Sequence, residues 1–109
     1  MMSKLKKIRD ALTGIENLNV NHYWRSGLQP PYCIWAEDDE GDSLVSDNRK
    51  AEQVISGTVD YFTKTEYDPM VEKIQNALDE VDTVSWRLSS TQYEDETMLI
   101  HYEWTFEVA

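Results

Sequence analysis

Met98-Leu99-Ile100-His101-Tyr102-Glu103-Trp104-Thr105-Phe106-Glu107-Val108 is the longest clean two-residue alternation in the chain. Ile100, Tyr102, Trp104, Phe106 and Val108 fall on one side, and His101, Glu103, Thr105 and Glu107 on the other. A strand with one packed and one wet face reads this way. Three aromatics lie on the packed side.

Immediately upstream, Glu94-Asp95-Glu96 is a short polar connection to a strand over Thr83 to Tyr93, in which Val84, Trp86 and Leu88 share a face. Two strands so closely joined make an antiparallel hairpin. Before them, Asp68-Pro69 opens a helix, with Asp68 placed to cap free N–H groups and Pro69 suited to the first helical position. Val71, Ile74, Leu78 and Val81 form its packing stripe, with Ala77 beside it.

Further back, Gln53 to Thr65 is a long β-rich run with apolar residues of both parities, which places it centrally in a sheet; Gly57 is expected to allow a bulge. Tyr32 to Ala36 is another buried strand, with Pro31 at its start. Asn19 to Trp24 is a short extended stretch, and Arg25 to Pro31 breaks regular structure. Leu5, Ile8, Leu12 and Ile15 mark a helix over residues 3–15 that Gly14 ends. Between the Tyr32 strand and the Gln53 run, Glu37 to Asp42 is a dense acidic loop, Ser43 to Ser46 a brief extended piece and Asp47-Asn48 a turn. The predicted fold is α+β: a mainly antiparallel sheet of four to five strands with two helices packed on it, in one domain.

With 109 residues, four Trp, six Tyr and two Phe, the chain has enough bulk for a core without a metal or disulfide staple. The single cysteine, Cys33, forms no intramolecular disulfide and suits a reducing compartment. No apolar run approaches the ~18 residues of a membrane span. The basic start leads into an amphipathic pattern, not an apolar signal core, so a cytoplasmic setting is expected. Ten Lys and Arg against 21 Asp and Glu give a formal charge of −11, which argues against a direct grip on DNA. It favours a well-solvated surface, a basic partner, or a surface to which DNA must not adhere.

Few residues suggest chemistry. Asp38, Glu40 and Asp42 alternate as in a calcium loop, but counting from Asp38, Ser43 and Arg49 stand where that loop needs glycine and glutamate. His101, Glu103 and Glu107 share a strand face and have the chemistry for a divalent metal or proton exchange; with His22 the only other imidazole and no ligand-like spacing, simple solvation is the expected reading. Cys33 has no local cation to activate it, and buried packing accounts for it. No phosphate-cradling loop, serine elbow or zinc spacing is present, so neither catalysis nor a cofactor is expected. Lys4, Lys6, Lys7 and Arg9 cluster on the first helix, either as a solvated face or as a surface for an anionic partner.

The Pro-Tyr-Cys-Ile-Trp-Ala strand with its acidic loop and the Asp47-Asn48-Arg49-Lys50-Ala51-Glu52 run carry a resemblance. So do Gly57 to Lys64, the Asp68-Pro69 helix, Trp86 in its strand and the closing Ile100 to Val108. Over nearly its full length the chain resembles small tail proteins of long-tailed bacteriophages and Gram-positive prophages, nearest the tail-terminator or tail-completion family. The resemblance implies a virion tail protein, in the host cytoplasm during assembly. It also implies a ring of copies, commonly a hexamer, that caps the tail tube and meets the head through the major tail tube protein and head–tail connector proteins. It implies no catalysis. A ring needs two different patches that meet head to tail. The basic set Lys4, Lys6, Lys7 and Arg9 and the loop 37–50, with Glu37, Asp38, Asp39, Glu40 and Asp42 followed by Arg49 and Lys50, are the candidate interface. A head–tail connector is a neighbouring reading. An acidic inhibitor that mimics DNA is a competing one, its carboxylates spread over Glu37 to Asp42, Asp79 to Asp82 and Glu94 to Glu96.

Overall fold

The computed structural model describes residues 2–24, 29–40 and 54–109. In chain order these form α1 (Met2–Thr13), β1 (Val20–His22), β2 (Tyr32–Glu40), β3 (Ile55–Thr63), α2 (Met70–Asp79), β4 (Val84–Glu94) and β5 (Leu99–Val108). The five strands make one sheet in the order β1-β2-β3-β5-β4. β1 runs parallel to β2 and every other pair is antiparallel. This is the α+β arrangement that the alternating and helical patterns predict.

Each strand's parity decides which face it builds. Cys33 and Trp35 of β2, Ile55, Val59 and Tyr61 of β3, and Trp104, Phe106 and Val108 of β5 all point to one side. There they meet Leu5, Ile8 and Leu12 of α1 and Ile74 and Leu78 of α2 in a single core. Val84 and Trp86 pack against it from β4. Both helices therefore bury their apolar stripes on the same face of the sheet. Burying each such side chain contributes about 1.5–3 kcal/mol.

Three polar contacts fix α2 over the sheet. Asp68 Oδ1 accepts the Met70 N–H at 2.9 Å, and its Oδ2 accepts the Tyr61 and Thr63 hydroxyls, each at 2.7 Å. Pro69 already carries helical dihedrals, φ −65 and ψ −14, so Asp68 caps the helix as its sequence position implies. Further along, the Trp104 indole donates to Gln75 Oε1 at 3.0 Å and the Trp86 indole to Asp79 Oδ1 at 3.2 Å. These bonds satisfy both N–H groups while the rings fill the layer between helix and sheet. α1 ends earlier than its stripe suggests. The Gly14 N–H closes the last turn on Asp10, and Ile15 packs on the core from beyond the helix.

Three local expectations change. Glu37 to Glu40 are not a loop: β2 continues through them, with Glu37 opposite Gly57 and Glu40 opposite Ile55. Ladder pairing uses backbone groups and tolerates charged side chains that find solvent or a partner, which a reading of side-chain polarity misses. The register shift lies there too, between Glu37 and Asp39, and not at Gly57. Gly57 instead permits close approach. A Cβ at that position would meet the Ala36 carbonyl oxygen, lie 2.7 Å from Phe106 Cζ and 2.8 Å from Glu37 Cα. Finally, Leu88 shares parity with Val84 and Trp86 but is 44% exposed, outside the core. Asp42, Ser43 to Ser46, Asp47-Asn48, Arg49 and Lys50 lie outside the described residues.

Candidate functional site

The face of the sheet turned away from the helices carries the buried Tyr32, 3% exposed, and the half-buried Ile34, Asp60, Phe62 and His101. Its register brings Tyr32, Phe62 and His101 into one row across β2, β3 and β5, with Gln92 next on β4. The rings stack in sequence: Tyr32 on Phe62 at 4.9 Å, and Phe62 on His101 at 4.2 Å. The following row holds Ile34, Asp60, Glu103 and Ser90.

His101 sits between two carboxylates from different strands. Its Nε2 lies 2.7 Å from Asp60 Oδ1 on β3, and its Nδ1 lies 3.2 Å from Glu94 Oε2 on β4. A neutral imidazole donates from only one nitrogen, so satisfying both carboxylates calls for the doubly protonated ring. The hydrogen bond to Asp60 raises the His101 pKa above its ordinary value; burial opposes this, and the charges of Asp60 and Glu94 add to it. The sequence places His101 on this face with Glu103 and Glu107 and expects simple solvation. Instead the ring is side-chain buried to 19% exposure, and its partners are Asp60 and Glu94. The Asp60 partner lies 41 residues away in sequence. No local pattern encodes that distance; only the strand order does. Among the described residues, no group of three His, Cys, Asp or Glu side chains is placed to hold a metal ion.

The second histidine occupies the other end of the sheet. His22 stacks between Trp35 at 4.0 Å and Tyr23 at 4.4 Å, and its Nε2 lies 2.8 Å from Glu37 Oε1. Burial pushes the Glu37 carboxyl up, but hydrogen bonds from His22 and Tyr23 outweigh it, and the net pKa is lowered. Cys33 is fully buried, and burial with the Asp60 charge pushes its thiol well above the ordinary range. Such a thiol is a packing group at neutral pH.

Four of the candidate interface residues, Lys7, Arg9, Glu37 and Asp38, each engage a nearby group of the same chain. Lys4 is half-buried on α1, and Lys6, Lys7 and Arg9 are exposed. Lys7 Nζ donates to Thr83 Oγ1 at 2.9 Å, and Arg9 pairs with neighbouring Asp10 at 2.9 Å. Glu37 belongs to His22, and Asp38 Oδ1 accepts from Ser56 Oγ at 3.5 Å. Asp39 and Glu40 are part of the β2 ladder, while Asp42, Arg49 and Lys50 lie outside the described residues. An open groove of about 1050 Å³ between α1 and α2 is lined by Lys7, Ala11, Ile15, Lys73, Ala77 and Val81, among others.

A different surface stands out. Among the described residues, most of the large exposed apolar side chains lie at the two edges of the sheet. Tyr23 (48% exposed) and Trp24 (71%) follow β1 at one edge. Leu88, Tyr93 (59%) and Met98 (63%) belong to β4 and its hairpin at the other. Between Val84 and Tyr93, Arg87 is the only charged residue of β4. Long free edge strands are normally blunted by charge, proline or bulges; among the described residues of β4 these devices are Arg87 and a register shift between Leu88 and Ser90. The aromatic pair is visible in the sequence within Asn19 to Trp24; the exposure of Leu88 is not. No described helix is long and apolar enough to cross a membrane. Neither the protein-family models nor the curated proteins compared with this chain gave a match.

Proposed function

We propose that this protein is a structural subunit of a phage or prophage tail, one that assembles head to tail with copies of itself into a terminator-like ring. In this reading the ring caps the tail tube and offers a surface to the head–tail connector, and no bond is made or broken. The observation that supports it is the pair of unlike apolar patches at opposite sheet edges, Tyr23 with Trp24 and Leu88 with Tyr93 and Met98. Two different patches on one subunit are what a heterologous, closing contact needs, whereas a two-fold dimer needs one self-complementary patch. Exposed aromatic and aliphatic anchors are also the side chains that carry most interface energy. Lys7, Arg9, Glu37 and Asp38 already engage nearby groups in the single chain, and in this reading the basic α1 face and the acidic β2 segment serve as rim contacts that orient the subunits.

The test is sedimentation and native mass spectrometry of the purified protein, followed by capture with major tail tube subunits. A closed oligomer that weakens when Lys4, Lys6, Lys7 and Arg9 are reversed in sign supports the reading. A strict monomer that ignores the tube contradicts it. One feature favours a second reading, an acidic inhibitor of a nucleic-acid-binding protein. Asp60, Glu103 and Glu107 lie together on the sheet face opposite the helices, in a chain with net charge −11. Capture of a nuclease or repressor in place of tube subunits would decide for it.

A further inference from the structure

The contact among Asp60, His101 and Glu94 spans three adjacent strands through side chains alone. Asp60 lies on β3, His101 on β5 and Glu94 at the end of β4. Backbone register pairs His101 with Phe62 and Gln92, so both carboxylates reach it diagonally. Glu94 is also where the β4–β5 turn begins. Its carbonyl accepts the Met98 N–H at 2.7 Å, and Met98 takes a left-handed backbone, φ 63. A non-glycine residue there is strained by about 1 kcal/mol, so the turn gains from being held at its base. Tyr93 and Met98, which flank this base, belong to the apolar β4 edge.

We infer that this contact is a proton-operated tie: it holds the β4–β5 hairpin in place for self-association while His101 keeps its second proton, and loosens it when that proton leaves. The inference rests on the proposed assembly and names how it would be regulated. The charge around the ring explains the direction. Asp60 faces it from β3 and Glu94 from β4, and Glu103 follows on the same face of β5. Asp95 and Glu96 extend the acidic turn, and Lys64 follows the end of β3. With the imidazolium present, the carboxylates share a cation. Without it, one nitrogen becomes an acceptor facing a carboxylate oxygen, and the acids repel one another.

A second imidazole, His22 beside Glu37, lies near the opposite edge, so pH dependence alone does not identify the switch. The experiment therefore compares the full chain with His101→Gln, Asp60→Asn and His22→Gln from about pH 5.5 to about pH 8.5. NMR titration reads the His101 pKa, amide exchange reads the β4–β5 turn, and sedimentation reads assembly. The expected His101 pKa lies above that of an unstructured histidine and falls in Asp60→Asn. Self-association of the wild type and of His22→Gln weakens by about tenfold for each unit separating the His101 pKa values of the assembled and free states. His101→Gln shows no such transition and exchanges faster at the turn even at low pH. Assembly with the same pH response in His101→Gln overturns the inference and leaves the assembly reading standing. A monomer at every pH overturns the assembly reading and the coupling with it, and a His101 pKa at or below the ordinary value removes the tie itself.

Discussion

The two faces of the sheet are built from the same alternating strands, yet they hold together by different physics. Under the helices, Trp104, Phe106, Val108, Val59 and Ile55 are almost completely buried among aliphatic and aromatic neighbours. That face depends chiefly on apolar burial and close packing, which involve no titrating group. The opposite face is held by a stacked aromatic row and by carboxylates around His101. There the balance turns on a single proton. One face thus carries most of the buried apolar side chains, while polar and aromatic contacts hold the other.

The largest expected effect lies on the covered face. Trp104→Ala should destabilise the protein by about 3–5 kcal/mol in chemical denaturation, because it empties the centre of the core and strands Gln75. A loss below about 1 kcal/mol would mean that the helices do not pack as described. Gly57→Ala should come next, costing about 1–3 kcal/mol by overpacking. Its neighbours include the Ala36 carbonyl and Glu37 Cα, which are backbone and cannot swing aside.

Asp68→Ala tests the junction between helix and strand, and should cost about 1–2 kcal/mol through the lost cap. Burial raises the Asp68 pKa, but the Met70 N–H and the Thr63 and Tyr61 hydroxyls overcome it and the net value is lowered. Its contribution is therefore present above the unfolded-state pKa and disappears as pH falls through the folded value. Acid denaturation curves of wild type and variant should accordingly converge at the acid end. On the open face, His101→Gln should have the smallest effect, about 1 kcal/mol or less. Because the folded pKa of His101 is raised, its stabilisation is complete below the unfolded value and lost as pH rises through the folded one. The two stability profiles should thus differ in mild acid and merge in mild base.

These contrasts also mark what the sequence could tell. The two-residue alternation of Ile100 to Val108 and the stripes from Leu5 to Ile15 and from Val71 to Val81 are local patterns, and they locate the packed face and both helices. Asp68-Pro69 announced its own cap. What stayed hidden was every relation between distant segments. β5 inserts between β3 and β4, β1 joins β2 in parallel, and the Asp60 carboxylate reaches His101 only because of that order. Charge misled at Glu37 to Glu40, where a polar run continues a strand by backbone pairing. Leu88 misled in the other direction, since its parity matches the core residues while its exposure shows that it lies beyond them.

As proposed above, the protein acts by fitting its two unlike edges together. The most direct test measures the oligomeric state of the wild type and of a Leu88→Asp, Tyr93→Asp variant by sedimentation over a wide concentration range. Both residues are exposed, so the variant should keep its fold and its unfolding midpoint. The prediction is a closed oligomer for the wild type and a folded monomer for the variant. Identical behaviour of the two proteins, whether both assemble or both remain monomeric, would contradict the claim.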